Sequence, residues 1–132
     1  MTNRILTENG WEDRIRLKLM VDEAYLPNSE LQEPDIIDVA EAFIIDLVPG
    51  YASLEGDDKV RLEAATVCQC AIILCPSMPS RMPVREQGPH FTRDLEQDWD
   101  KRKKEMLNER DYYLGTIITT PKVRRFTSSG RG

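Results

Sequence analysis

The run from Val60 to Cys75 constrains the fold most. Its apolar positions are Val60, Leu62, Ala64, Ala65, Val67, Cys68 and every residue from Cys70 to Cys75. Wound as a helix, they cover nearly the whole circumference after the first turn, so the segment has to be buried on several sides. Other helices must supply those neighbours, and Ala64, Ala65, Cys68 and Ala71 are small enough to let them come close. The chain has 132 residues, enough for one core of ordinary size and too few for two. The expectation is a mainly α fold: a small helical bundle over residues 1–118 around a central helix at 57–75, which Asp57 would cap.

The remaining punctuation fills in the bundle. Residues 12–24 mix Ile15, Leu17, Leu19 and Met20 with charges, a pattern compatible with a short helix or an extended segment, of which the helix is the expectation. Leu26-Pro27-Asn28-Ser29 is a turn, with Asn28 or Ser29 placed to cap a single helical turn through Leu31. Pro34 stands where a first helical residue should be, and Ile36, Val39, Ala40, Phe43, Ile44 and Leu47 follow at helical spacing. That predicts a helix over 34–48, stopped by Pro49-Gly50. Pro76, Pro79, Pro83 and Pro89 predict a long Pro-rich loop over 76–92. A polar helix over 93–114 then carries a narrow stripe of Leu95, Trp99, Met106 and Tyr113, which suits a surface or bridging helix. Gly115 would close it, and Ile117 to Thr120 read as extended chain before Pro121. The core expected from these helices is Phe43, Ile44, Leu47, Val67, Ala71, Ile72, Leu74 and Trp99.

Charge is distributed unevenly along the chain. Residues 1–60 hold 14 acids and 5 bases, residues 61–118 hold 9 of each, and residues 119–132 hold 4 bases and no acid. The net charge of -5 argues against a generally basic nucleic-acid binder. An acidic front and a basic tail can attract each other between copies, and a head-to-tail contact of that kind closes into a ring when the rotation permits. Within the tail, Lys122, Arg124, Arg125 and Phe126 alternate around Val123, a pattern that also permits strand addition to a neighbour.

Reactive chemistry has little to draw on. Cys68, Cys70 and Cys75 sit on one helix where i and i+2 diverge, with only His90 as a further soft donor, so core packing is expected and no metal or cofactor. His90 stands in Gly88-Pro89-His90-Phe91 without a recognisable nucleophile or phosphate loop, and no catalytic residue is assigned. Lys101-Arg102-Lys103-Lys104 could meet phosphates, but Asp98, Asp100 and Glu105 cancel much of its field. A nucleic-acid-binding phage or prophage regulator built on that run is the alternative reading. The start of the chain has no apolar segment behind a basic one, and Cys70–Cys75 is far short of the roughly 20 residues that span a bilayer. A soluble intracellular product without membrane contact is expected.

The order of these features is itself informative. The run EPDIIDVAEAFIIDLVPGYASLEGDDKVRLEAATVCQCAIILCPSMPSRMPVREQGPHF, followed by DWDKRKKEMLNERDYYLG, resembles the YqbG-like head–tail connector (adaptor, head-completion) proteins of tailed phages and prophages. The likeness covers roughly residues 14–118. It rests on the Pro-started helix, the Ala/Cys-rich central helix, the loop with Arg81, Arg85 and Gly88-Pro89-His90, and the last helix with Trp99. The resemblance implies a non-enzymatic structural subunit, made in the host cytoplasm and built into the virion neck. Copies would form a ring, a dodecamer, between the portal protein and head-closure or tail proteins, with DNA passing through the channel without sequence-specific binding. It also implies that Lys122, Arg124, Arg125 and Phe126 meet the portal or a neighbour. The loop 76–91, with Arg81, Arg85, His90 and Phe91, would be ordered on assembly.

Overall fold

The computed structural model describes residues 3–81 and 89–118, with side chains for 3–80 and 99–117. These residues form a mainly helical bundle. Its elements are α1 (Trp11–Leu19), α2 (Asn28–Leu31), α3 (Ile37–Leu47), α4 (Asp57–Leu74), α5 (Met78–Arg81) and α6 (Pro89–Ile118), with short 3₁₀ turns at Tyr51–Ser53 and Cys75–Ser77. α4 is the axis of the bundle, and α1, α3 and α6 each pack against it.

Burial explains the choice of axis. Leu62, Ala65, Thr66, Val67, Cys68, Gln69, Cys70, Ala71, Ile72 and Leu74 are all buried along α4. The Thr66 hydroxyl satisfies itself by donating to the Leu62 carbonyl at 2.8 Å, the usual way a threonine is tolerated inside a helix. Continued through the turns to Ser80, the helical stretch Asp57–Ser80 is long and apolar enough to cross a membrane by length and composition, a stretch that the run Cys70–Cys75 alone understates. Yet 67% of that window is buried inside the bundle, so its apolar surface is already occupied by protein.

Several boundaries depart from the sequence expectation. α3 begins at Ile37, after a turn at 34–36 in which the Val39 N–H reaches back to the Pro34 carbonyl. Asp57 does not cap α4: Gly56 holds that position at φ 62, ψ −133, and no side-chain cap bond is made. A positive φ there favours glycine, while Asp57 and Asp58 complement the helix dipole from inside the first turn.

The Pro-rich loop is shorter than expected. Cys75–Ser77 and Met78–Arg81 are helical turns, and α6 already starts at Pro89, so His90 and Phe91 are helical residues. Pro76, Pro79 and Pro89 each fall in the first positions of a helical segment, where the missing N–H would have had no helical partner. Pro83 and Arg85 lie outside the described residues, as does the tail 119–132.

α6 corrects the expectation of a surface helix. It lies along α4 as that helix's most extensive neighbour and buries Trp99, Met106, Leu114 and Ile117. It also runs through Gly115 to Ile118, so Ile117 and Ile118 are helical and not extended. Burying Ile117 offsets the roughly 1 kcal/mol that a glycine costs a helix interior. Of the expected core, Ile44, Val67, Ala71, Ile72, Leu74 and Trp99 are buried, whereas Phe43 is 39% and Leu47 45% exposed. α3 turns Ile37, Ala40 and Ile44 inward instead, leaving the opposite apolar ridge outside.

Candidate interaction surfaces

Three polar anchors set the geometry of the exposed faces. The first is Glu41, a fully buried acid on α3. Its carboxylate accepts the backbone N–H groups of Arg4 at 2.9 Å, Ile5 at 2.8 Å and Leu6 at 3.0 Å, and the Arg4 guanidinium stands 3.7 Å away. The residues before α1 are thereby fastened across α3, and Ile5 and Leu6 enter the core. Nothing in helical periodicity pointed to Glu41, because an acid on an apolar face reads as an interruption; the partners that make it tolerable are 35 to 37 residues away.

The second anchor is Arg16, buried on α1. It donates to the Leu26 carbonyl at 2.8 Å and to Asp13 at 2.6 Å, and it also pairs with Asn28. Asn28 thus serves Arg16 instead of capping α2, for which no side-chain cap bond is present.

The third anchor joins α1 to α6. The Arg102 guanidinium donates to the Lys18 carbonyl and approaches the Met20 sulfur at 3.5 Å. A guanidinium at the C-terminal end of a helix meets carbonyls that have no helical donor. Two turns along α6, Lys18 pairs with Glu109 at 2.7 Å, and the Cys68 thiol donates to the same carboxylate at 3.5 Å. The Lys18 hydrogen bond holds the Glu109 carboxyl below its usual range against a partial desolvation. Partial burial pulls the Lys18 ammonium down, but Glu109 and the neighbouring charges outweigh it and leave its pKa raised.

The basic run of α6 is therefore divided. Arg102 is drawn onto α1 and Lys103 is half-buried, leaving Lys101 and Lys104 exposed. The cysteines are core residues: all three are free and buried. Burial pushes the Cys68 thiol up to about 12 and raises Cys70 and Cys75 as well. They pack as neutral thiols, without the thiolate character that makes cysteine reactive.

Two faces remain open. Between α1, α4 and α6 runs a groove of about 410 Å³ bordered by Leu17, Met20 and Val67, with Leu17 and Met20 largely exposed. Met20 ends α1 in the left-handed region at φ 60. Its N–H bonds to the Leu17 carbonyl and the Val21 N–H to the Arg16 carbonyl, the pattern usually closed by glycine. The second face is the ridge Val39, Phe43 and Leu47 on α3, one residue per turn. The Arg110 guanidinium lies over the Phe43 ring at 5.0 Å, held there by Gln69 at 2.8 Å and Asp111 at 2.9 Å.

The sites named from sequence are placed only in part. Arg81 ends α5, and His90 and Phe91 fall in the first turn of α6, but their side chains lie outside the described residues. So do Arg85, Lys122, Arg124, Arg125 and Phe126. Comparison with protein-family models, with curated proteins and with solved structures gives no match for this chain.

Proposed function

We propose that the chain is a non-enzymatic structural subunit of a head–tail connector ring, seated in the virion neck between the portal and head-closure or tail proteins. The observation that carries this reading is the ridge Val39, Phe43 and Leu47, left exposed along α3. Contiguous apolar surface of this kind is characteristic of protein contacts. Beside it stand the exposed acids Asp46 and, just before the helix, Asp35, which favour a partner with basic groups. The sequence order shared with connector proteins gives the architecture in which such a face would be used, a ring of copies with channel-side loops. In this reading the bundle is a rigid body and specificity lies in its surface and terminal segments.

The test is electron microscopy of the purified protein mixed with portal rings. A connector adds a circular layer of density to the portal; portal rings that remain bare at high protein excess overturn the reading.

A further inference from the structure

Among the described residues, the ridge on α3 stays largely exposed, with the Arg110 guanidinium over Phe43. Val39 is 51%, Phe43 39% and Leu47 45% exposed, a line of about 12 Å at 1.5 Å per residue. Exposed Asp46 lies on the same side of the helix and exposed Asp35 just before it. A segment that fits must be short, apolar in part and basic.

From this we infer that the ridge receives the basic segment Lys122–Phe126 of a second copy, an inference that deepens the ring reading and rests on it. The match is chemical. The segment has three bases, Val123 and Phe126 in five residues, and an extended chain would carry it roughly 13 Å from Lys122 to Phe126, close to the length of the ridge. The ridge already accepts an arginine, since Arg110 stacks on Phe43 at 5.0 Å; the segment brings Arg124 and Arg125 to the same ring and to Asp46.

The donor is assigned to a neighbour because the ring reading on which this inference rests needs a contact between copies, and the acidic front and basic end of the chain attract each other between copies. One copy's tail on the next copy's ridge is a heterologous contact, which repeats around a ring. A five-residue contact is small, so a pair associates weakly and ring closure accumulates the gain.

The test uses two full-length variants and no portal. In the ridge variant Phe43→Glu and Leu47→Glu replace two exposed side chains; in the tail variant Lys122, Arg124 and Arg125 are changed to Glu. Far-UV circular dichroism verifies that both are folded. Sedimentation velocity at low salt is expected to show concentration-dependent self-association of the unaltered chain, weakened by about tenfold or more in each variant. An equimolar mixture restores association but stops at the heterodimer, because one ridge and one tail remain intact between them. A monomeric mixture overturns the inference and returns the ridge to the chain's own tail or to another protein. Self-association of either variant at the level of the unaltered chain also overturns it. Head-to-tail dimers with bare portal rings would uphold this contact and defeat the connector reading; portal layers that form equally well from the ridge variant would do the reverse.

Discussion

The carboxylate of Glu41 holds the backbone N–H of Ile5 at 2.8 Å inside the core, across 36 residues of chain. With the Arg4 and Leu6 amides it completes a pocket of donors around a buried negative charge, the condition under which such a charge is tolerated. Glu41→Gln loses the charge and turns one acceptor into a donor facing these amides. We expect a loss of roughly 2–4 kcal/mol in urea unfolding, with hydrogen-exchange protection of the Ile5 and Leu6 amides falling more than that of α4. Unchanged protection of those two amides would show that the segment is held by packing alone.

The two faces of α3 separate under truncation. Ile44 is fully buried, so Ile44→Ala should cost about 2–4 kcal/mol. Phe43→Ala removes a half-exposed ring and its Arg110 contact and should cost under about 1 kcal/mol. Equal losses in chemical denaturation would place Phe43 in the core after all.

Met20 occupies a left-handed position with its side chain exposed. Met20→Gly relieves that conformation and should raise stability by roughly 0.5–1 kcal/mol, read as a higher denaturation midpoint at unchanged slope. A drop would mean that the Met20 sulfur contact with Arg102 contributes more than the backbone cost.

Arg102 and Lys101, adjacent in the basic run, should behave differently. Arg102→Ala frees the Lys18 carbonyl and loosens α6 from α1, at about 1–2 kcal/mol, whereas Lys101→Ala on the exposed side should change stability by less than about 0.5 kcal/mol. If the run instead served duplex DNA, both substitutions would weaken salt-sensitive binding alike, which an electrophoretic shift at low salt would register.

The buried thiols give a pH dependence. Desolvation raises Cys68 to about 12 and raises Cys70 and Cys75 too. An unfolded thiol releases its proton near pH 8.5–9, so between there and the folded value the folded state binds more protons. The thiol contribution to stability is complete below pH 8 and declines as pH rises above about 9. Replacing the three cysteines by alanine or serine should flatten that alkaline decline in thermal unfolding. In the native chain at pH 8, alkylating reagents should label these thiols only at the rate of opening.

What sequence alone determined was the class of fold and its axis. The nearly complete apolar circumference of Val60–Cys75 has one stable outcome in a chain of this size, a helix packed among other helices, and α1, α3 and α6 pack on it. Val67, Ala71, Ile72 and Leu74 were legible as core because neighbours pack on several sides of that helix. On α3 the same periodicity was ambiguous. Two apolar lines, Ile37-Ala40-Ile44 and Val39-Phe43-Leu47, run at helical spacing, and only docking against α4 decided which would be inside. The helical state of the proline segments and of Ile117 was likewise fixed by burial and by each proline's place in a first turn. Glu41, Arg16 and Arg102 were invisible for a related reason: each has a backbone partner brought close by folding, and a side chain's spacing carries no record of a carbonyl or amide that is distant in sequence.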